Sequence, residues 1–230
     1  MSDVKGKVFI VQGPTASGKT TLAIQLAKKF QTEIISADSR QFYQEMSIGT
    51  AKPSSGELAQ VKHHFVHSHS IYNEVSASQY AQVAKPILDD LLARNQAAVI
   101  VGGSGMFIDA LTLGLDEIPH DKKVQEKWIA LHETEGLEFL QNELARLDPV
   151  YFAEVDTNNP VRLIRALEVI ELTQKPFSES RKGKVKYDYD IVRYGIAWNR
   201  SDLYERIDQR VDFMIEAGLF QEAKALFPLR

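Results

Sequence analysis

Two spacings of apolar residues alternate along this chain. Val8-Phe9-Ile10-Val11 is a continuous apolar run, with the length and character of a strand buried on both faces. The period then switches. Leu22, Ala23, Leu26, Ala27 and Phe30 recur at helical spacing, which puts one apolar face on a helix from Thr20 to Phe30. Glu33-Ile34-Ile35-Ser36 predicts a second strand, so strand, helix and strand form a βαβ unit and the sheet is parallel. Tyr80, Val83, Ala84, Ile87, Leu88, Leu91 and Leu92 predict a helix with one core face, kinked or split at Pro86. Ala98-Val99-Ile100-Val101 predicts another buried strand. It runs straight into Gly102-Gly103-Ser104-Gly105, with a helix expected through Leu113.

The pattern then changes character. From about Asp116 to Lys175 the spacing is helical, with few strand-like runs. Asn159-Pro160 marks a helix start, Asn as N-cap and Pro in the first turn, continuing through Val161, Ile164, Leu167 and Ile170. Ser178 to Tyr189 is a polar, basic loop. Ile191 to Trp198 returns to the sheet, and a last helix is expected with Asp202 and Glu205 as its capping box and Gly218 as its stop. The expected organisation is an α/β core over 1–115, a helical insertion over 116–177 and a return to the core over 178–230.

The turn between the first strand and helix carries the strongest chemical signal. Gly13-Pro14-Thr15-Ala16-Ser17-Gly18-Lys19-Thr20 matches G-x-x-x-x-G-K-[ST] in the strand–loop–helix setting that a P-loop requires. The glycines let backbone wrap a phosphate, whose charge the loop N–H groups and helix N-terminus meet. Lys19 adds a point charge, and the Thr20 hydroxyl is placed for Mg²⁺. The fold class is therefore a P-loop NTPase-like parallel sheet flanked by helices, with a helical insertion, binding a di- or triphosphate.

Other candidates are read against that loop. Asp38 lies just past the C-terminal end of the second strand, where ligands of open α/β sheets bind. It can hold Mg²⁺ through water, accept a proton, or merely cap a turn. The strand ending at Val101 has no acidic residue at its tip, which argues against a hydrolytic NTPase with a Walker-B carboxylate. The glycines after it suit either a close approach of substrate, with the Ser104 hydroxyl as a partner, or a tight turn. Arg206 and Arg210 share a helix face; they can clamp a pyrophosphate or form a solvated face with Glu205 and Asp208. Arg162 and Arg165 carry the same two readings. His63, His64, His67 and His69 have loop-like spacing with no acidic residue or cysteine among them, which disfavours a zinc site.

Bulk composition narrows the setting. The chain of 230 residues contains no cysteine, so it has no disulfide framework. No signal-peptide-like start and no apolar run of membrane-spanning length are present, and a cytoplasmic, monomeric protein without membrane association is expected. The net charge of −4 means that any nucleic acid must be met by local basic patches. Arg181, Lys182, Lys184 and Lys186, with Arg162 and Arg165, are the candidates.

Taken together, several segments resemble the tRNA dimethylallyltransferase (tRNA isopentenyltransferase) family. They are the Gly13–Thr20 loop, Asp38-Ser39-Arg40-Gln41-Phe42-Tyr43, Ile48-Gly49-Thr50-Ala51-Lys52-Pro53, Val101-Gly102-Gly103-Ser104-Gly105-Met106-Phe107, Asn159 to Glu168, and Leu203 to Arg210. The order is the family's and the match spans nearly the whole chain. The P-loop is shared by many enzymes, whereas the second and third segments are far more specific. The resemblance implies a prenyltransferase that moves a dimethylallyl group from its diphosphate to N6 of an adenosine beside the tRNA anticodon. The P-loop then grips prenyl diphosphate in place of ATP, and Mg²⁺ is the implied cofactor. It implies Asp38 as the general base, Ser104 as a catalytic hydroxyl where members usually have Thr, and Arg210 as a pyrophosphate-binding arginine. Contacts to tRNA are implied for Asp38, Ser39, Arg40, Gln41 and Ser104, and for Val161, Arg162, Leu163, Ile164 and Arg165. Phe107 replaces a usual Tyr, and members usually continue past the position of Arg230 with a further helical segment that contributes to tRNA binding. The alternatives are a P-loop small-molecule or nucleotide kinase that uses ATP, with Asp38 deprotonating a hydroxyl, and a nucleotide-dependent RNA binder without transfer chemistry.

Overall fold

The computed structural model describes residues 6–114, 118–180 and 188–229; Arg181, Lys182, Lys184 and Lys186 of the basic loop lie outside them. In chain order the first elements are β1 (Lys7–Gln12), α1 (Lys19–Lys29), β2 (Ile34–Ser36), α2 (Ser55–Leu58), β3 (His63–His64), α3 (Ala77–Asn95), β4 (Ala97–Val101) and α4 (Gly105–Leu113). Four helices follow, α5 (Lys122–Glu135), α6 (Leu137–Leu147), α7 (Pro149–Phe152) and α8 (Pro160–Thr173), and then β5 (Asp190–Gly195), α9 (Arg200–Glu216) and α10 (Leu219–Leu226). The chain divides into two compact units, Met1–Gly114 with Val185–Arg230, and Leu115–Lys184.

In the first unit five strands pair in the order β3-β2-β4-β1-β5, every pairing parallel. The apolar runs read from the sequence are its central strands, and their alternation feeds two cores. Val8 and Ile10 of β1, with Ala98 and Ile100 of β4, pack into one core with α3 and α4. Phe9 and Val11, with Val99 and Val101, pack into the other with α1. A continuous hydrophobic run is what a strand covered on both faces needs.

Two helix expectations are corrected. Pro86 does not split α3, which runs unbroken from Ala77 to Asn95. Pro86 and Gln82 are both exposed, so water can take the carbonyl that proline leaves without a donor. Val83 is also turned outward, 50% exposed. The last long helix starts earlier than expected: Asn199 is the N-cap of α9, and Asp202 sits inside the first turn, where its carboxylate accepts from the Ser201 hydroxyl. Gly218 behaves as expected, left-handed at φ 102° between α9 and α10.

The second unit is helical. Trp128, Leu140, Leu144, Leu163, Ile164, Leu167 and Ile170 form its core. The Asn159 side chain caps α8 by accepting from Arg162 N–H, with Pro160 in the first turn.

Candidate functional site

Gly18, left-handed at φ 92°, ends the P-loop and starts α1. Ala16 is also left-handed, at φ 58°, a conformation that costs a side-chain-bearing residue energy unless its surroundings hold it. Two side chains grip the loop here: Arg206, a candidate from its sequence position, and Trp198, which the sequence reading missed. Arg206 Nε donates to Ala16 O at 2.9 Å, and Trp198 Nε1 donates to Ser17 O at 3.0 Å. The Arg206 guanidinium also lies 4.4 Å from the Trp198 ring centroid, a cation–π contact. The sequence places Trp198 at the end of a strand, whereas β5 stops at Gly195; its position just after the last strand is the one signal for it. Gly13 is required by close packing: a Cβ there would lie 2.9 Å from Ser17 Oγ and 3.2 Å from Ile196 O.

The loop lines a cavity of about 440 Å³. All eight residues Gly13 to Thr20 face it, joined by Asp38 and Gln41 from the β2 side and by Arg206 and Arg210 from α9. Lys19 Nζ donates to Gly13 O at 3.0 Å and Pro14 O at 2.6 Å. Burial lowers the Lys19 pKa, the Asp38 charge opposes that shift, and Arg210 adds to it. Burial likewise lowers Arg210, again opposed by Asp38. Among the described residues neither Arg206 nor Arg210 forms an ion pair. Glu205, the partner considered from sequence, accepts from Gln209 instead. The cavity therefore presents two arginines, a lysine and the loop to an anion, with two carboxylates in its lining, Asp38 and Glu57; Glu57 is engaged with Ser54.

Asp38 is half-buried. Its Oδ1 accepts from Arg40 N–H at 3.0 Å, so it caps a turn and also faces the cavity. Ser104 is placed differently from the expectation of a cavity hydroxyl. Its Oγ accepts from Ser39 N–H at 3.0 Å and donates to Ser39 Oγ at 3.1 Å, and Gly103 lines the cavity in its place. Ser104 thus acts on the turn that carries Asp38. Gly102 allows this approach, since a Cβ there would lie 2.2 Å from Ala37 O. Gln41 Nε2 donates to Ala51 O at 3.2 Å, tying the Asp38–Gln41 segment to the loop at Ile48–Lys52.

The segment from Val161 to Arg165 divides. Val161, 72% exposed, and Arg162 face outward. Leu163 and Ile164 are corrected: both are buried in the helical core, because α8 needs one apolar face and these residues supply it. Their side chains are not available to RNA. Arg165 is committed as well, donating to Glu168 at 2.7 Å, Pro119 O at 2.9 Å and Ile118 O at 3.2 Å. The histidines also have local partners: His63 Nδ1 bonds Val61 O, His64 bonds Glu33, His67 meets Lys52 and His69 meets Ser68.

Comparison with known proteins gives the family. The chain is 44% identical over 223 residues to tRNA dimethylallyltransferase 2 of Azobacteroides pseudotrichonymphae, covering 96% of this chain and 73% of that protein. Among solved structures it resembles the tRNA isopentenylpyrophosphate transferase of Bacillus halodurans, with 35% identity and TM-score 0.64, covering 96% of this chain and 70% of that one. It also resembles a eukaryotic dimethylallyltransferase acting on tRNA, with 27% identity and TM-score 0.81, covering 97% of this chain and 56% of that one. A family model described as IPP transferase matches residues 41–230, and on that match and these identities the chain belongs to the IPP transferase family.

Proposed function

We propose that this chain transfers a dimethylallyl group from dimethylallyl diphosphate to N6 of an adenosine beside the anticodon of a tRNA, releasing diphosphate. The observation that carries the reading is the convergence of Lys19, Arg210 and Asp38 on one P-loop cavity. Its cationic wall suits a diphosphate; of its two carboxylates, Glu57 caps the turn at Ser54, and Asp38 is the one proposed to meet the reacting group. In the reaction the C1–O bond of the donor breaks and its electron pair leaves on the diphosphate. Lys19, Arg206, Arg210 and the loop N–H groups are set to stabilise that charge as it develops. The N6 lone pair forms the new bond to C1, and Asp38 takes the N6 proton. Thr20 lines the same cavity and suits Mg²⁺. Among the described residues no three His, Cys, Asp or Glu side chains gather to hold an ion, so Thr20, water and diphosphate oxygens would be its ligands. Bound there, Mg²⁺ would neutralise leaving-group charge.

Adenine N6 is occupied by pairing inside a duplex, so the acceptor base must be unstacked and read in a pocket. Of the candidates Val161 to Arg165, Val161 and Arg162 are the exposed residues left to touch RNA. The kinase reading finds no support in β4, which ends at Val101 and leads into Gly102-Gly103 without an acidic residue. No helix among the described residues is long and apolar enough to cross a membrane, which accords with a cytoplasmic enzyme; a monomer is the proposed state. The test is to incubate the protein with tRNA and either dimethylallyl diphosphate or ATP. Diphosphate release with prenyl transfer from the first supports the reading. Phosphoryl transfer from ATP would replace it with the kinase, and binding without either product with the RNA binder.

A further inference from the structure

Glu222, on the first turn of α10, has no part in the reaction as described. Its carboxylate nevertheless accepts three consecutive backbone N–H groups: Ser47 at 2.8 Å and Ile48 at 2.8 Å through Oε2, and Gly49 at 2.9 Å through Oε1. Three donors converging on one carboxylate, more than 170 residues away in sequence, make a specific tertiary anchor. Charge-assisted bonds of this kind are about twice as strong as neutral ones. A Cβ on Gly49 would lie a tight 3.2 Å from Leu219 Cδ1 and an ordinary 3.5 Å from Glu222 Oε1, so it would press on α10 beside the carboxylate.

The anchored loop leads to the chemistry. Thr50 Oγ1 donates to Met46 O at 2.8 Å and Ala51 N–H to Ile48 O at 2.9 Å, which makes residues 46–51 one compact turn. Gln41 Nε2 donates to Ala51 O at 3.2 Å, and Gln41 N–H donates to Asp38 O at 3.3 Å. Asp38, Gly49, Thr50, Arg210 and Glu222 line one cleft of about 500 Å³, which shares Thr15, Asp38 and Arg210 with the P-loop cavity. Burial would raise the Glu222 pKa, but the three N–H groups and the Lys52 charge hold it below the usual carboxylate range, so it is ionised and a full acceptor at neutral pH.

We propose that Glu222 is a positioning residue for prenyl transfer, clamping α10 to the Ser47–Gly49 loop and so fixing, through Gln41, the turn that carries Asp38. The inference rests on the proposed function. It separates donor binding, which the P-loop performs, from alignment of the acceptor with the base. A glutamine at 222 keeps the shape but loses the charge and presents an NH₂ to at least one backbone donor. An aspartate keeps the charge and falls one methylene short.

The experiment uses the full chain carrying Glu222→Gln, Glu222→Asp or Gly49→Ala. Three quantities are measured: hydrogen exchange at Ser47, Ile48 and Gly49, dimethylallyl diphosphate affinity, and the single-turnover rate of transfer to tRNA. Loss of charge-assisted bonds to the loop predicts for Glu222→Gln about tenfold or greater acceleration of exchange at these amides, with β1 amides unchanged. Diphosphate affinity stays within about twofold, while the transfer rate falls about tenfold or more, as expected when alignment is lost. Glu222→Asp recovers part of the rate, and Gly49→Ala shifts both exchange and rate in the direction of Glu222→Gln by less. Unchanged exchange, or faster exchange with an unchanged transfer rate, overturns the inference alone. A wild-type chain that binds the diphosphate and transfers nothing overturns the functional reading and the inference with it.

Discussion

The P-loop cavity and the helical unit use charge and backbone in opposite ways. In the helical unit the buried carboxylate of Glu168 is fully compensated, accepting from His120 Nδ1 at 2.6 Å, Asp121 N–H at 2.9 Å and Arg165 at 2.7 Å. Burial would raise the Glu168 pKa, and these partners bring it below the usual range. In the P-loop unit, Lys19 spends its charge on loop carbonyls, and Arg206 and Arg210 face the cavity beside it. The backbone follows the same division. Left-handed residues other than glycine occur in the P-loop unit at Ala16, Ala51, Phe65 and His67 in loops and at Gln31 and Gln96 after helices, whereas the one such residue in the helical unit, among those described, is Gln174 at the end of α8. A unit that satisfies its own charges with ordinary backbone is built for stability. Uncompensated cations and held strain mark the unit that awaits a ligand.

This contrast predicts that mutations in the two units separate activity from stability. The largest effect is expected for Asp38→Asn. Loss of a general base lowers the single-turnover rate by about 10² to 10⁴, with donor affinity and thermal stability near wild type; a rate near wild type removes the base role. Leu163→Ala comes next and does the reverse. Leu163 is 0% exposed, and truncating such a side chain costs about 2–5 kcal/mol, measured by denaturant unfolding. Diphosphate binding by the folded fraction should be kept, and a neutral substitution would return Leu163 to the candidates for RNA contact.

Lys19→Ala is expected to weaken diphosphate binding by about 1.5–3 kcal/mol, the value of a charge-assisted contact, leaving tRNA affinity largely unchanged. Calorimetric titration of both ligands checks it, and equal losses for both would break the division of labour. The smallest effect concerns pH. The folded pKa of Glu168 is below its unfolded value of about 4.3, so its contribution to stability is fully present above that pH and disappears as pH falls through the folded value. Glu168→Gln should be less stable than wild type at neutral pH, with the difference closing in acid. A stability difference that does not vary with pH would mean the cluster acts through packing alone.

How much of this was legible in the sequence depends on the range of the forces involved. Local chemistry wrote the apolar runs of β1 and β4, the helical period of α1, the Asn159 cap and the Gly13–Thr20 loop, so these could be read directly. The extent of α3 could not, because whether Pro86 breaks a helix depends on which way Gln82 faces. Nor could the start of α9, where Asn199 competes with Asp202 within a few residues. In Val161–Arg165 the family resemblance implied RNA contact, but the helix phase set by the core, unseen in the motif, buries Leu163 and Ile164 and turns Arg165 onto Glu168.

The sequence by itself determined that a phosphate-binding loop sits between a buried strand and a helix in a parallel α/β sheet, and that Asp38 lies at the neighbouring strand end. Those features rest on period, glycine geometry and short-range bonds, which neighbouring residues dictate. Only the tertiary structure decided that Ser104 holds Ser39, that Trp198 and Arg206 grip the carbonyls of Ser17 and Ala16, and that Glu222 clamps Ser47 to Gly49. Each joins groups from 65 to 190 positions apart. Such contacts exist only once the sheet order and the path of α9 and α10 have brought the two groups within hydrogen-bond distance.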